Sequence, residues 1–390
     1  MREKIQQWFQ IKRYNWKNYD ISLVIVVLIL TLISTFVLSL VQAHFSMVRQ
    51  VFSIVAGLCI IAFFSIIDYH DLCLYAPVIY IVSTLMAAGT KLSPLGTNQG
   101  TNSFRWLNIG GFIFQPSEVC KLAVILSLAV FFNKAREKNL QRFRNFFLAC
   151  LIALIPTSFI LIQSDLSSSV VIIMILVMML ACSGIGYKIL GSVSAVVIPV
   201  IGFLFWYIQQ PNQILFTGSR KYQLNRILAW LHPEGHELGA MYQQNNSVLS
   251  IASGKLYGKL LEGDESTRNY SLVDVTESDF IWTPISEEFG FIGCLVVLIL
   301  LSVIIIKCFL KAKNAKDYMG MLIAVGIGSM FFIQIFFNIG VTTSLLPNTG
   351  LPLPFLSYGM TSLFGNMMAI GILLNIGIQP NRGSNNFELH

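Results

Sequence analysis

Residues 21–41 read ISLVIVVLILTLISTFVLSLV and contain no charged side chain. A helix needs roughly 20 apolar residues, at about 1.5 Å of rise each, to cross the hydrocarbon core of a bilayer. The run is too long for the apolar region of a secretory signal peptide, which has about 7–15 residues. It is therefore predicted to be a membrane-spanning helix, and no cleavable signal peptide is expected.

Similar apolar runs recur along all 390 residues, of which 55% are hydrophobic and only 12% charged. Soluble domains contain about 25% charged residues. The sequence predicts an all-α polytopic membrane protein with about ten transmembrane helices in a membrane domain of residues 21–378. The predicted spans are 21–41, 51–67, 72–89, 118–133, 145–163, 166–182, 188–208, 287–309, 318–341 and 360–378.

The net charge of +7 reflects the orientation of the chain and does not indicate nucleic acid. With the N-terminus inside, sixteen Lys and Arg residues lie on the inner side and three lie in short outer loops. Short cytoplasmic loops carry such an excess of positive charge. Both termini are therefore predicted to be cytoplasmic, with a basic, aromatic segment 1–20 at the lipid surface and a tail 379–390.

Seven cysteines lie in or beside apolar runs, with no Cys-x-x-Cys spacing. Neither a disulfide framework nor a zinc site is indicated. Two outer regions are polar: residues 91–117, and a long extracytoplasmic loop at 209–286. Long loops in compact proteins are usually functional.

Charged residues near the fourth span are candidate ligands for a diphosphate. Glu118 and Lys121 are three residues apart, which puts them on one helix face, and Pro116 suits a first helical turn. Arg105 and Lys121 could hold a diphosphate. The alternative is an internal Glu118–Lys121 ion pair that locks helices together.

Asp165 lies in the hinge between the fifth and sixth spans. Charges at membrane depth are costly and often mark function, so Asp165 is a candidate substrate-binding residue. The alternative is a helix N-cap, a position that aspartate favours.

Asp279 is the candidate general base. It is one of five carboxylates where the long loop meets the eighth span, and Phe280, Ile281 and Trp282 follow it. An apolar wall would raise the pKa of Asp279 by desolvation, which suits a base. The alternative is a solvated acidic loop.

Residues 346–359 precede the last span and contain three prolines and two glycines. Proline and glycine exclude a regular helix here. Because the segment is apolar, it must be covered by protein or line a cavity. It is predicted to be a re-entrant element at the outer face.

These motifs resemble those of the SEDS family, which includes RodA, FtsW and SpoVE. Residues 350–362 match Gly-Leu-Pro-Leu-Pro-Phe-(Ile/Leu)-Ser-Tyr-Gly-Gly-(Ser/Thr)-Ser, with Met360 in place of a glycine. The other matching stretches are 278–282, 287–290, 105–107, 114–121 and parts of 222–234. The hinge at 163–168 departs from Gln-Pro-Asp-Leu-Gly-Thr, and the chain is most like a divergent RodA.

The resemblance implies a peptidoglycan glycosyltransferase of the bacterial cytoplasmic membrane that polymerises lipid II on its outer face. Asp279 matches the family's essential aspartate. Arg105 and Lys121 would bind the diphosphate, with Glu118 orienting Lys121. Asp165, Ser357 and Tyr358 would also belong to the substrate site.

The resemblance further implies a class B penicillin-binding protein as the transpeptidase partner, within the elongation or division machinery. A divalent cation, Mg²⁺ or Mn²⁺, is compatible with the diphosphate, although the sequence contains no dedicated metal cage. The alternatives are a transporter of lipid-linked precursors, disfavoured because the charges cluster at the outer mouth and not at midplane, and a non-catalytic scaffold, disfavoured because Asp279 is present.

Overall fold

The computed structural model describes residues 14–42, 46–94, 96–97, 104–137, 143–210, 220–234, 239, 241–260 and 268–380. Within these ranges ten helices have 17 residues or more and three are shorter. They are α1 (Ile21–Val41), α2 (Met47–Ile66), α3 (Tyr69–Leu74), α4 (Ala76–Leu92), α5 (Pro116–Glu137), α6 (Phe143–Ile162), α7 (Leu166–Cys182), α8 (Tyr187–Ile208), α9 (Arg220–Leu231), α10 (Tyr242–Ser253), α11 (Trp282–Lys313), α12 (Tyr318–Thr342) and α13 (Met360–Ile378).

The ten long helices coincide with the ten predicted spans to within a few residues at each end, and the helical fold class is confirmed. Six of the described helices are long and apolar enough to cross a membrane: α1, α2, α6, α11, α12 and α13. Two more, α4 and α7, are apolar but shorter. The number of helices that cross the bilayer stays a prediction.

Several helices begin at a side chain that accepts a hydrogen bond from a backbone N–H group of the first turn. Asp20 accepts a hydrogen bond from Leu23 N at 3.2 Å and caps α1. Asp317 accepts one from Gly320 N at 2.7 Å and caps α12. Short polar side chains stabilise a helix N-terminus in this way. Pro116 is the first residue of α5, as predicted.

Helix α12 lies at the centre of the bundle and packs against α5, α7 and α11, while α13 packs against α2. Glycine allows the close approaches: a Cβ on Gly326 would lie 2.6 Å from a methyl of Ile125 in α5. A Cβ on Gly371 would lie 2.7 Å from Phe64 in α2. Small residues at such contacts let membrane helices pack backbone to backbone.

A small antiparallel sheet lies in the polar region between α4 and α5, and the sequence did not predict it. Its strands are β1 (Gly96–Thr97), β2 (Trp106–Ile109) and β3 (Phe112–Phe114), in that order. Gly110 and Gly111 form the turn between β2 and β3, both with positive φ. The sheet brings the chain from Arg105 directly to the start of α5.

The polar loop 209–286 contains α9 and α10, a short 3₁₀ helix (Asn269–Leu272) and the residues that enter α11. Helix α11 is kinked at Gly290, whose φ of 64° and ψ of −167° interrupt the helical geometry. A Cβ on Gly290 would lie 2.3 Å from the backbone nitrogen of Gly258. The loop therefore packs directly against the backbone of α11 at its kink.

We call residues 346–359 the Pro-rich segment. It contains no regular helix, as predicted, and its apolar side chains Leu351, Leu353, Phe355 and Leu356 are buried in the core of the helix bundle. Most of the two predicted terminal segments, 1–20 and 379–390, lies outside the described residues.

Candidate active site

The loop that carries Asp279 is bound to the Pro-rich segment through backbone contacts. Ser357 Oγ donates a hydrogen bond to Ser278 O at 2.5 Å and accepts one from Leu353 N at 2.7 Å. Tyr358 N donates to Glu277 O at 2.8 Å. Ser357 and Tyr358, predicted to bind substrate, thus contact the loop of the predicted base.

Asp279 itself is held from two further directions. Asn338 Nδ2, in α12, donates to Asp279 O at 2.8 Å and to Leu351 O at 2.7 Å. The carboxylate lies against Gly350, where a Cβ would stand 2.8 Å from Asp279 Oδ2. Gly350 has a φ of +73°, which glycine adopts at little cost.

The surroundings of Asp279 favour a carboxyl group that holds a proton more readily than an exposed one does. Burial raises the pKa of Asp279, and the guanidinium groups of Arg105 and Arg226 oppose that rise. A hydrogen bond from Ser278 Oγ, 3.3 Å from Asp279 Oδ1, also opposes it. The carboxylate of Asp165 adds to the rise. The side chain is only partly exposed, so it is both reachable and partly desolvated.

Arg105 precedes β2 and is directed at the hinge between α6 and α7. Its Nη2 donates to Ser164 O at 2.9 Å, and its Nη1 lies 4.0 Å from Asp165 Oδ1. Its Nε is buried and has no hydrogen-bond partner among the residues that the structure describes. Arg105 therefore retains a donor for a bound anion.

Asp165 caps the N-terminus of α7, which is the alternative role that its position in the sequence also allows. Its Oδ1 accepts from Ser168 N at 3.1 Å and its Oδ2 accepts from Ser168 Oγ at 2.8 Å, at the start of α7. The residue before it, Ser164, has a positive φ of 63°, which turns its carbonyl group to Arg105. Asp165 nonetheless acts electrostatically on Asp279, so capping and a place in the site are compatible.

Arg226 reaches the site from α9 in the long loop. Its Nη1 donates to Asn348 O, in the Pro-rich segment, at 3.4 Å. The neighbouring carbonyl of Thr349 accepts a hydrogen bond from Ser167 Oγ at the start of α7. The Pro-rich segment thus joins α7, α9 and the loop of Asp279.

Glu118 and Lys121 form the ion pair that their spacing indicates. Lys121 Nζ lies 2.8 Å from Glu118 Oε2, and the two side chains are only 1% and 3% exposed. A Cβ on Gly365 of α13 would lie 3.5 Å from Glu118 Cβ. Ser117 Oγ lies 3.4 Å from Ser168 Oγ, which also bonds Asp165. The start of α5, which carries the Glu118–Lys121 pair, is thus connected to Asp165 in the hinge through Ser117 and Ser168.

Among the five carboxylates near the start of α11, Glu287 and Glu288 differ from Asp279 in their ion partners. Glu287 and Glu288 are fully buried. Glu287 Oε1 pairs with Lys259 Nζ at 2.7 Å, and Glu288 Oε1 pairs with Arg268 Nε at 2.5 Å. These two pairs fix the long loop on the kinked part of α11. Asp279 differs from them because its carboxylate has no ion pair within 4.0 Å among the described residues.

The structure therefore brings Arg105 and Asp165 within electrostatic reach of Asp279. Ser357 and Tyr358 contact the loop that carries Asp279. The Glu118–Lys121 pair lies next to the hinge that contains Asp165. Sequence reasoning did not select Asn338 or Arg226 as site residues. A lone asparagine in an apolar span was an available signal for Asn338, because polar groups at such depth are costly. Arg226 lies in the stretch 222–234 that partly matches the SEDS pattern, and that match was an available signal for it.

Within the described ranges no group of three or more His, Cys, Asp and Glu side chains could hold a metal ion. The carboxylates of Asp165 and Asp279 are accompanied by the guanidinium groups of Arg105 and Arg226, an arrangement that suits an anion better than a bare cation. A divalent cation bound together with a diphosphate stays a prediction, and no step is derived through it.

Fold and site together define a polytopic helical membrane protein with a cluster of charged side chains where its long polar loop meets the helix bundle. The family model described as a cell cycle protein, which covers FtsW, RodA and SpoVE, matches residues 16–382. The chain belongs to this family.

Relatives of more than one kind match over most of their length. The chain is 33% identical over 326 residues to stage V sporulation protein E of Bacillus subtilis, covering 82% of this chain and 84% of the relative. It is 32% identical over 382 residues to the probable peptidoglycan glycosyltransferase FtsW of the same organism, covering 93% and 91%. It is 30% identical over 331 residues to the peptidoglycan glycosyltransferase MrdB of Escherichia coli, covering 85% of each.

Two solved structures share the fold. One, from a study of how a peptidoglycan synthase complex coordinates polymerization and crosslinking, has a TM-score of 0.74 at 23% identity and covers 92% of this chain and 97% of that chain. The rod shape determining protein RodA of Thermus thermophilus has a TM-score of 0.65 at 22% identity and covers 93% and 98%.

Proposed function

We propose that this protein is a peptidoglycan glycosyltransferase that polymerises lipid II into glycan strands at the outer face of the cytoplasmic membrane. The observation that carries the proposal is the placement of Asp279, a partly desolvated carboxylate within electrostatic reach of Arg105 and Arg226. Curated relatives at 30–32% identity are named as peptidoglycan glycosyltransferases.

In the proposed reaction the 4-hydroxyl oxygen of the acceptor sugar forms a bond to the anomeric carbon of the donor. The bond between that carbon and the diphosphate oxygen breaks, and undecaprenyl diphosphate leaves. Asp279 takes the hydroxyl proton as general base. A raised pKa brings a carboxylate closer to the basicity that proton transfer near neutral pH needs.

The leaving diphosphate gains negative charge as the bond breaks, and cations at that position stabilise the transition state. Arg105 fits this role, because its guanidinium group faces the hinge and its buried Nε has no partner in the described parts of the chain. Arg226 is the second guanidinium near Asp279. Asp165 would orient Arg105 from 4.0 Å.

Lys121 is proposed to contribute positive charge to the same anion, with Glu118 orienting its ammonium group from 2.8 Å. Ser357 and Tyr358 support the substrate site by fixing the loop of Asp279.

The activity is tested with purified protein and fluorescently labelled lipid II. Glycan strands longer than the dimer, resolved on a gel and removed by a muramidase, are the expected product. If the labelled substrate stays monomeric under conditions in which the protein is folded, while the same preparation moves it across a vesicle membrane, the transporter alternative replaces the proposal.

A class B penicillin-binding protein is the proposed partner, within the elongation or division machinery. A glycan polymerase needs a separate enzyme to crosslink its strands, and one fold neighbour comes from a peptidoglycan synthase complex. An exposed apolar face of α11, including Phe291, Leu295 and Ile299, could contact an anchor helix. Co-purification in mild detergent with each class B protein of the source organism tests this; recovery of none would count against it.

A further inference from the structure

We propose that Asn338 is a positioning residue for the transfer reaction, and that its amide group sets where the loop of Asp279 stands relative to Gly350. The inference rests on the proposed function, in which Asp279 is the base. Asn338 would act through the position of Asp279 and would not itself contact the substrate.

Three contacts close a ring around the base. Asn338 Nδ2 donates to Asp279 O at 2.8 Å and to Leu351 O at 2.7 Å. The residue before Leu351 is Gly350, and a Cβ there would stand 2.8 Å from Asp279 Oδ2. One amide group therefore holds the backbone of the base and the backbone of the surface against which its carboxylate rests.

The two hydrogen-bond acceptors determine which end of the Asn338 side-chain amide faces them. Both are carbonyl oxygens, which only accept hydrogen bonds, so the NH₂ end of Asn338 must face them. That group has two hydrogens and binds two acceptors. A carboxylate or an aliphatic side chain of the same size could satisfy neither carbonyl.

Asn338 is suited to this role because its own position is fixed. It is 1% exposed and lies on α12, the helix at the centre of the bundle. By contrast, the loop of Asp279 and the Pro-rich segment have no regular helix; they bind each other through Ser357 and Tyr358, and Asn338 joins both to α12. Residues that hold a reacting group are most effective when packing locks them on a rigid element.

Loss of the amide would let the carboxylate shift towards water, because the carbonyl of Asp279 would lose the hydrogen bond from Asn338. A displacement of about 1 Å at a reacting group can lower the rate on the order of 10²-fold. Greater exposure of the carboxylate would also reduce the desolvation that raises the pKa of Asp279. Both the rate and its pH dependence should therefore change.

The test compares Asn338→Ala with Asn375→Ala in purified protein. Asn375 is a matched control: it is fully buried, and its Nδ2 donates to Ser65 O at 2.9 Å while its Oδ1 accepts from Tyr69 N at 3.0 Å, away from the site. Lipid II polymerisation is measured as kcat and KM across pH, with the melting temperature of each variant.

We expect Asn338→Ala to lower kcat by roughly 10- to 100-fold, to leave KM near the wild-type value, and to move the acid limb of the kcat profile to lower pH. Asn375→Ala should lower the melting temperature without moving that limb. A wild-type kcat in Asn338→Ala, or a raised KM with an unchanged kcat, overturns the inference. So does a lowered kcat whose pH midpoint stays in place.

If Asn338→Ala does not purify as a folded protein, Asn338→Asp serves instead, because it keeps the shape of the side chain and replaces the donor pair. It should show the same loss of kcat, and full activity overturns the inference. An Asp279→Asn arm separates the two proposals. If Asp279→Asn is active, the base assignment fails; if Asp279→Asn is inactive and Asn338→Ala is fully active, only the positioning role fails.

Discussion

The carboxylate of Asp279 rests directly against the α-carbon of Gly350: a Cβ at position 350 would stand 2.8 Å from Asp279 Oδ2. The two residues are 71 positions apart in sequence, and Asn338 donates hydrogen bonds to both segments. A glycine at this point provides the space for the carboxylate, and its φ of +73° directs the chain away from it.

Gly350→Ala is expected to lower the rate of polymerisation by at least about tenfold, because the new methyl group displaces a reacting carboxylate. A left-handed backbone with a side chain costs about 1–2 kcal/mol in addition. Gly110→Ala is the control, because Gly110 also has a positive φ, of 60°, but has nothing within 4 Å of the added Cβ. It should lose similar stability and keep its rate. Equal activity of the two variants would contradict the close contact.

The pH dependence of kcat/KM should respond in opposite directions to Arg105→Ala and Asp165→Asn. A general base works ionised, so the rate falls below its pKa. Arg105 lowers the pKa of Asp279, so its removal should move the acid limb to higher pH. Asp165 raises that pKa, so its neutralisation should move the limb to lower pH. Asn retains N-capping, which keeps α7 intact.

Asp274→Asn controls for the loss of a carboxylate, because Asp274 is exposed in the same loop and is not among the main groups that shift the pKa of Asp279. Its acid limb should stay in place. Shifts of Arg105→Ala and Asp165→Asn in the same direction would show that the electrostatic description of the site is wrong.

The buried Glu118–Lys121 pair can be tested for a role beyond stability. Lys121→Met leaves Glu118 buried without a partner, and breaking a buried pair in this way costs about 3–5 kcal/mol. The double variant Glu118→Gln/Lys121→Met removes both charges and should recover much of the melting temperature. We expect it to remain inactive, because the proposed anion site lacks its ammonium group. Recovery of activity together with stability would make the pair a structural clamp.

The apolar runs predicted the long helices well, because the length and apolar character of a membrane-spanning helix can be read directly from a continuous stretch of sequence. Pro116 and the Pro-rich segment also behaved as their residue types dictate. The three-stranded sheet was not predicted, since strands of two to four residues in a polar loop have little periodicity.

The site was only partly predictable for a different reason. Asp279 stands out in the sequence by its apolar neighbours, whereas its contacts with Asn338 and Gly350 depend on how α12 and the Pro-rich segment pack. Glu287 and Glu288 belong to the same acidic stretch as Asp279, yet their ion partners come from the long loop. Such long-range pairings leave no local spacing pattern.

The orientation of the chain follows from its charge bias and is open to direct measurement. In a background without cysteine, Tyr257→Cys should react with a membrane-impermeant reagent in intact spheroplasts, because Tyr257 is 78% exposed and lies in the predicted outer loop. Lys134→Cys, exposed at the predicted inner end of α5, should react only after lysis. The reverse pattern would place the site on the cytoplasmic side and contradict the proposed function.

The most direct measurement is the rate of lipid II polymerisation by purified Asp279→Asn, together with its affinity for lipid II. Asparagine keeps the size of the side chain but cannot accept the proton. Loss of a general base costs on the order of 10²- to 10⁴-fold in rate. We expect a loss of that size with wild-type binding of lipid II. A variant that polymerises lipid II at the wild-type rate would contradict it.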